Sequence, residues 1–388
     1  MSLPADRGRI LMANGGARPR WSGGRLFGRA AVSVLIAVLF LWLTWRGLRA
    51  EVMLVSDGRS ALETIWEAAT SVPLSAIALY ALLFLALHVV RLVRWAFQVR
   101  PLGERDTLKV LRIGAVGNAA IVALPLRLGE LVRPALLARE SHVRFSAAMG
   151  TAVVERVVDG LVLVLMLGAS LLLLPEPTPL LRNAAIACAV LFVGAAMAVA
   201  AFVISRSVAR RVLQATVGRV LPRAASRIDA LLEDFVDGCA TLRRGGGLWA
   251  YLGLTLLYWW LNVVSLVLLA RAFGFALGWW EGAAVLAILV AGILLPAGPG
   301  YFGNFQLFLA EGLRLVLPGV LIGAAGLAFA LIMNLVQVAV QLLVAVPALP
   351  ATGLRSGALV ALEHSALRAA EESAGAGSVE EAVAEQPG

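Results

Sequence analysis

Charge is scarce in this chain. Only 15% of its 388 residues are Asp, Glu, Lys or Arg, where a soluble domain carries roughly a quarter. That scarcity excludes an ordinary water-soluble domain. Cysteine is scarce too: Cys188 and Cys239 cannot form a disulfide framework, and both read as ordinary packing residues. Histidine is limited to His88, His142 and His364, far apart in sequence, so no metal-ligand spacing exists. Lysine is almost missing, with Lys109 the only one among 33 basic residues; this bias favours no function by itself. There is no Walker A loop, Rossmann glycine fingerprint, nucleophile elbow or zinc helix motif. No stretch outside the apolar blocks is long enough for a catalytic domain. Neither enzymatic activity nor a cofactor is therefore expected, although an enzyme built inside a membrane would need only a few polar residues.

What the chain has is long apolar runs. Hydrophobic residues make up 60% of it. A helix needs about 20 apolar residues to cross the ~30 Å hydrocarbon layer. Runs of that order fall at about 30–48, 72–98, 145–174, 183–204, 247–272 and 319–347. The first begins after an Arg-containing tail and lacks a clear cleavage site, so it reads as a retained helix rather than a signal peptide. Residues 30–348 form the expected membrane region, flanked by disordered tails at 1–29 and 349–388. Residues 205–246 are basic with helical periodicity and read as an amphipathic segment on the membrane surface.

The net charge of +9 lies at the ends of apolar runs, which points to topology and lipid headgroups rather than nucleic acid. Arginines concentrate in 1–29, 99–144 and 205–246. By the positive-inside rule both termini face the cytoplasm of a bacterial-type inner membrane. Two segments then remain that are too broken for simple spans: 107–139 and 281–317. With this orientation they enter and return from opposite faces. The expected fold is all-α: a polytopic transmembrane helix bundle of about six full spans plus two opposed broken, re-entrant hairpins. Opposed broken elements are a mark of transporters built on inverted repeats. The alternative is that each hairpin is two short spans, giving ten crossings.

Three constellations could carry chemistry. The first is Asn118, Pro125, Arg127, Gly129, Glu130 and Arg133. Arg127, Glu130 and Arg133 fan along one side of a helix, and a helix broken at Pro125 exposes backbone N–H groups suited to an anion. Two arginines nearby suit a lipid phosphate. The plain alternative is a set of interfacial loop charges. The second is Glu155, Arg156 and Asp159, roughly 15–20 Å into the third span. Charges at that depth cost at least ~2.5 kcal/mol each on insertion scales and mark a functional interior or a structural ion-pair knot. Arg156 can reach Asp159 at i+3. The third is Pro296, Gly298, Pro299, Gly300, Gly303, Asn304 and Gln306, where glycine and proline forbid a regular helix. Such backbone at membrane depth lines a cavity or is buried in protein; an extracellular turn is the other reading. Arg91, Arg94 and Trp95 read as an interfacial anchor, His88 as a packed residue, and Trp259-Trp260 and Trp279-Trp280 as belt and packing residues.

The stretch Arg94-Trp95, Gly117-Asn118, Leu124-Pro125-Leu126-Arg127-Leu128-Gly129-Glu130-Leu131-Val132-Arg133 and Glu155-Arg156-Val157-Val158-Asp159 resembles the signature of the lysylphosphatidylglycerol synthase transmembrane region. Pro296-x-x-Pro299-Gly300-x-x-Gly303 resembles its second motif. The resemblance covers about residues 30–348 and implies a flippase-like lipid translocase. In the translocase reading Arg127 and Arg133 hold the headgroup phosphate, Glu130, Glu155 and Asp159 set their position, and Arg94, Asn118 and Arg156 belong to the same substrate site. In the multiple peptide resistance factor, a related region is taken to flip aminoacylated phosphatidylglycerol made by a separate synthase domain. Only residues 349–388 follow the last span here, too few for that synthase, so aminoacyl transfer is not expected. Stand-alone members are associated with hopanoid, glycolipid and polyprenyl-linked pathways. The implied partners are therefore membrane lipids: an anionic phospholipid, a hopanoid or a polyprenyl-linked lipid. Many members carry Glu where Gln306 stands, so coupling differs here or Glu311 substitutes. Two other classes remain: a non-catalytic partner of a lipid or cell-envelope enzyme, and a membrane-embedded transferase.

Overall fold

The computed structural model describes residues 23–124, 129–174, 179–204, 247–317, 320 and 322–352. Among the described residues all regular structure is helical. The α-helices are α1 (Gly23–Val55), α2 (Ala61–Thr70), α3 (Leu74–Val99), α4 (Thr107–Ala123), α5 (Gly129–Glu140), α6 (Phe145–Leu173), α7 (Pro179–Ile204), α8 (Gly247–Ala272), α9 (Trp279–Ile293), α10 (Asn304–Val316) and α11 (Gly323–Ala345). Among the described residues five helices are long and apolar enough to cross a membrane: α1, α3, α6, α8 and α11. In α7 the apolar stretch Leu181–Met197 is shorter. The surface segment expected at 205–246 and both terminal tails lie outside the described residues.

The two broken segments are antiparallel helical hairpins. In the first, Gly129 at the start of α5 meets Ala120 of α4, and Gly117 of α4 meets Arg133 of α5. In the second, Gly292 of α9 meets Phe308 of α10, and Val285 meets Gly312. The arms hold 17, 12, 15 and 13 residues, or about 26, 18, 22 and 20 Å at 1.5 Å per residue. None reaches the ~30 Å of a hydrocarbon layer, which favours hairpins over ten full crossings. The approach at Gly129 is the closest to backbone: a Cβ there would lie 2.1 Å from the Ala120 carbonyl oxygen.

The packing follows a two-fold pattern. The unit α3–hairpin–α6 corresponds to α8–hairpin–α11. Opening helices α3 and α8 pack on each other; α4 of the first hairpin packs on α11, and α9 of the second packs on α6. The units also run in opposite directions. Trp95 near the end of α3 donates to Thr151 near the start of α6. Ser170 near the end of α6 donates to the Trp280 carbonyl at the start of α9, the helix that follows α8. The expected inverted arrangement is thus present in the packing, though not visible as sequence similarity.

Outside this core, α1 runs past the expected boundary near residue 48. Its extension is held because Glu51 caps the start of α11, accepting from the Ile322 and Gly323 N–H groups at 2.7 and 2.8 Å. Arg314 of α10 donates to Glu51 at 2.6 Å and to Glu311 at 3.0 Å. Helix α2 is started by a capping box: Ser60 and Glu63 satisfy each other's backbone N–H groups. Its Glu63 carboxyl is held below its ordinary value by the Ser60 N–H and then the Ser60 hydroxyl.

Candidate functional site: a charged cluster between two hairpins

Ion pairs join α3, α5 and α6 inside the bundle. Arg94 of α3 is 1% exposed. It donates to both Asp159 oxygens at 2.6 and 3.0 Å and to Glu155 at 3.0 Å. Arg133 of α5 donates to the other Glu155 oxygen at 2.5 Å. Arg91 approaches Glu155 at 3.7 Å. Glu155 begins the fourth turn of α6, about 15 Å from its first residue. One buried carboxylate therefore serves three guanidinium groups. Each pair here repays desolvation only because the geometry is bidentate or shared and the aromatic walls complete it.

Those walls come from α3 and α8. The Arg133 guanidinium lies over the Trp95 ring at 4.8 Å, and Arg94 lies over Tyr258 at 5.0 Å and Tyr251 at 5.7 Å. Such stacking stabilises a desolvated cation by roughly 2 kcal/mol. Trp259 donates its indole N–H to Asp159 at 3.1 Å. Trp95 is 1% exposed, so Arg94 and Trp95 are interior residues rather than the interfacial anchor expected from sequence. The pairing expected within α6 also differs. Arg156 donates to Glu130 of α5 at 2.8 Å, and Asp159 belongs to Arg94. The two-pronged Arg94–Asp159 fork outcompetes a single i, i+3 contact.

The cluster has a buried part and an accessible part. Arg94, Arg133 and Glu155 have side chains at most 7% exposed, while those of Arg156 and Glu130 are 40% and 32% exposed. Arg91 is 21% exposed. Four guanidinium groups face three carboxylates, leaving one positive charge. Arg156 sits at the first hairpin, pairing with Glu130 near the start of its second arm. The tip Pro299–Tyr301 packs against α4. Both α5 and α10 begin at their tips, so two positive helix ends lie within this region.

The second tip is fastened from several sides. Ser33 donates to the Ala297 carbonyl, Asn304 to Pro296 and Asn334 to Gly300. Gln306 accepts from the Gly303 N–H at 2.7 Å. Gly298 and Gly303 lie against Ala37 of α1, where a Cβ would come within 2.5 Å. Gly300 and Tyr301 are both left-handed, with φ of 67° and 60°. For a tyrosine this conformation is strained, and such strain persists only when the surroundings over-determine it. Asn118 of α4 is 1% exposed and neither of its amide atoms has a partner among the described residues. Pro125 and Arg127 lie outside the described residues. Glu311 is placed with Arg314 and Glu51, away from the cluster.

The sequence pattern of the lysylphosphatidylglycerol synthase transmembrane region matches residues 30–345. The chain belongs to this family. It is a multi-pass membrane protein of the flippase-like type. No curated protein and no solved structure shows a significant match to it. Three contributors to this family member's cluster were missed from sequence: Tyr251, Tyr258 and Trp259, all on α8. Of the pair expected to be belt and packing residues, Trp259 packs inside at 5% exposed and Trp260 is outward at 62%; the Trp259 contact with Asp159 is what the sequence does not show.

Proposed function

We propose that this family member translocates a phosphate-bearing lipid across a bacterial inner membrane, with both termini in the cytoplasm. The observation that carries the proposal is the partly exposed Arg156–Glu130 pair, set against a buried ion cluster at the meeting point of two hairpins. A half-exposed charge this deep in a span is costly unless it faces water or a charged ligand. The incoming phosphate would take Glu130's place on Arg156, an exchange of one oxyanion for another, with Arg91 as a second contact. Arg94, Arg133, Glu155 and Asp159 would hold α3, α5 and α6 in register while the hairpins move. Arg127, three residues before Glu130 in sequence, is a further phosphate contact in this reading. Alternating access then amounts to rocking of the two inverted units about the site. No bond is made or broken, so we read the chain as a transporter and not an enzyme.

The test is transbilayer movement of fluorescent phosphatidylglycerol in proteoliposomes, comparing the wild type with Arg156→Ala and Arg127→Ala at equal amounts of folded protein. Loss of movement in both variants supports the site. Full activity in Arg156→Ala removes it.

A further inference from the structure

We infer that the end of the bundle where the chain leaves its last span is a docking surface for the chain's own acidic segment, residues 371–385. The inference goes beyond the translocation reading and does not draw on it.

Three parts of the chain build this surface: the start of α4, the end of α5 and the turns after α11. Ala348 and Leu349 pack into the apolar cluster that holds Val110 and Ile113 of α4. Thr352 is 2% exposed. Its carbonyl accepts from Arg139 of α5, and its hydroxyl donates to the Leu349 carbonyl at 2.9 Å. Asp106, Lys109, Arg112, Glu140 and Thr352 line a cavity of about 200 Å³. The chain therefore leaves Thr352 from a fixed point on this surface.

The surface carries a surplus of positive charge. Arg100, Arg105, Lys109, Arg112 and Arg139 stand among only three acids, Glu104, Asp106 and Glu140. Those acids are already committed. Glu104 accepts from Lys109 Nζ at 2.7 Å and from the Asp106 N–H at 2.9 Å. Asp106 caps α4, accepting from the Lys109 N–H at 3.0 Å. Glu140 pairs with Arg139 at 2.9 Å. Arg105 and Arg112 are exposed and make no ion pair or hydrogen bond among the described residues.

The complementary charge lies further along the same chain. Residues 369–388 hold Glu371, Glu372, Glu380, Glu381 and Glu385 and no Lys or Arg. From Thr352 to Glu371 the chain can reach about 28 Å as a helix and about 60 Å extended, enough to return to the surface it leaves. Exposed ion pairs are individually weak, so an acidic peptide free in solution would bind this face poorly. A tethered segment has an effective concentration of about millimolar. That advantage belongs to residues 371–385, because their tether starts in the pocket itself.

The experiment uses the single lysine of the chain. Lys109 lines the pocket, and a carbodiimide joins its amine to a carboxylate in direct contact, with loss of water. The full chain in phosphatidylcholine nanodiscs is treated at low salt and the joined peptides are mapped by mass spectrometry. The Lys109–Glu104 contact is the internal control. The expected result is monomeric protein in which Lys109 is joined to a glutamate of 371–385. The yield should fall at least fivefold when salt is raised from ~0.1 M to ~1 M, since the screening length drops from ~10 Å to ~3 Å. It should fall at least threefold in Arg105→Gln/Arg112→Gln, with the Lys109–Glu104 product unchanged. Both arginines are exposed and unpaired, so that variant should fold. Glu104→Gln frees the amine from its neighbour and should raise the yield. No joined glutamate from 371–385 in either the wild type or Glu104→Gln overturns the inference. Joined products found only in dimers assign the surface to a second copy and overturn it too. So does their loss when phosphatidylglycerol replaces part of the phosphatidylcholine, which would give the surface to lipid.

Discussion

Replacing Glu155 by Gln should destabilise the bundle by about 3 kcal/mol. The side chain keeps its size and one carbonyl acceptor but loses its charge. Arg94 retains both Asp159 oxygens. Arg133 is 7% exposed and is left without a carboxylate among the described residues. Breaking a buried pair on one side costs ~3–5 kcal/mol, and the acceptor that Gln retains places this case at the lower end. The loss comes mainly from the orphaned cation. Removing that cation as well, in Glu155→Gln/Arg133→Met, should recover about half of it, because whole buried pairs are often replaceable by apolar groups at little cost. Denaturant unfolding in detergent micelles, followed by tryptophan fluorescence, measures both. Trp95 and Trp259 flank the cluster and report on it directly. A single-variant loss under about 0.5 kcal/mol, or a double variant whose loss is the plain sum of the two singles, would refute the reasoning.

Other perturbations separate packing from transport. Gly129→Ala drives a Cβ into the Ala120 backbone, which cannot move aside as a flexible side chain can; a loss of at least ~2 kcal/mol and lower yield of folded protein are expected in the same unfolding assay. Glu51→Gln weakens the cap on α11 and the Arg314 contact. About 1–2 kcal/mol should be lost, with the α11 N-terminal amides showing faster hydrogen exchange; unchanged exchange there would count against the cap. The Ser60–Glu63 capping box predicts a pH effect on α2. Its carboxyl is depressed below 4.5, so the stabilisation is full above that value and fades as pH falls through the lower folded value. Protection of α2 amides should drop there in the wild type and be flat in Glu63→Gln.

Much of the architecture could be read from composition and punctuation. Apolar runs located the long spans, and Pro and Gly at 296–300 and around 125–129 located the broken hairpins. The failures have a common physical origin. Local spacing suggested Arg156 with Asp159, whereas a partner 65 residues away won because Arg94 offers a buried fork. The aromatic wall of Tyr251, Tyr258 and Trp259 has no local signal, since an apolar helix surface looks alike whether it faces lipid or a guanidinium group. Glu51 looked like the end of a span because a charge is costly there; its pairing with Arg314 and the α11 N-terminus removes that cost. Tyr301 is opaque for the opposite reason: left-handed backbone is ordinarily announced by glycine, and nothing in the residue type signals it.

The measurement that tests the central claim most directly is transbilayer movement of phosphatidylglycerol in proteoliposomes containing the wild type or Arg156→Ala, each verified as folded by its unfolding curve. The account predicts movement with the wild type and at least a tenfold loss in the variant. Equal rates for the two proteins, or no movement with folded wild type, would contradict it.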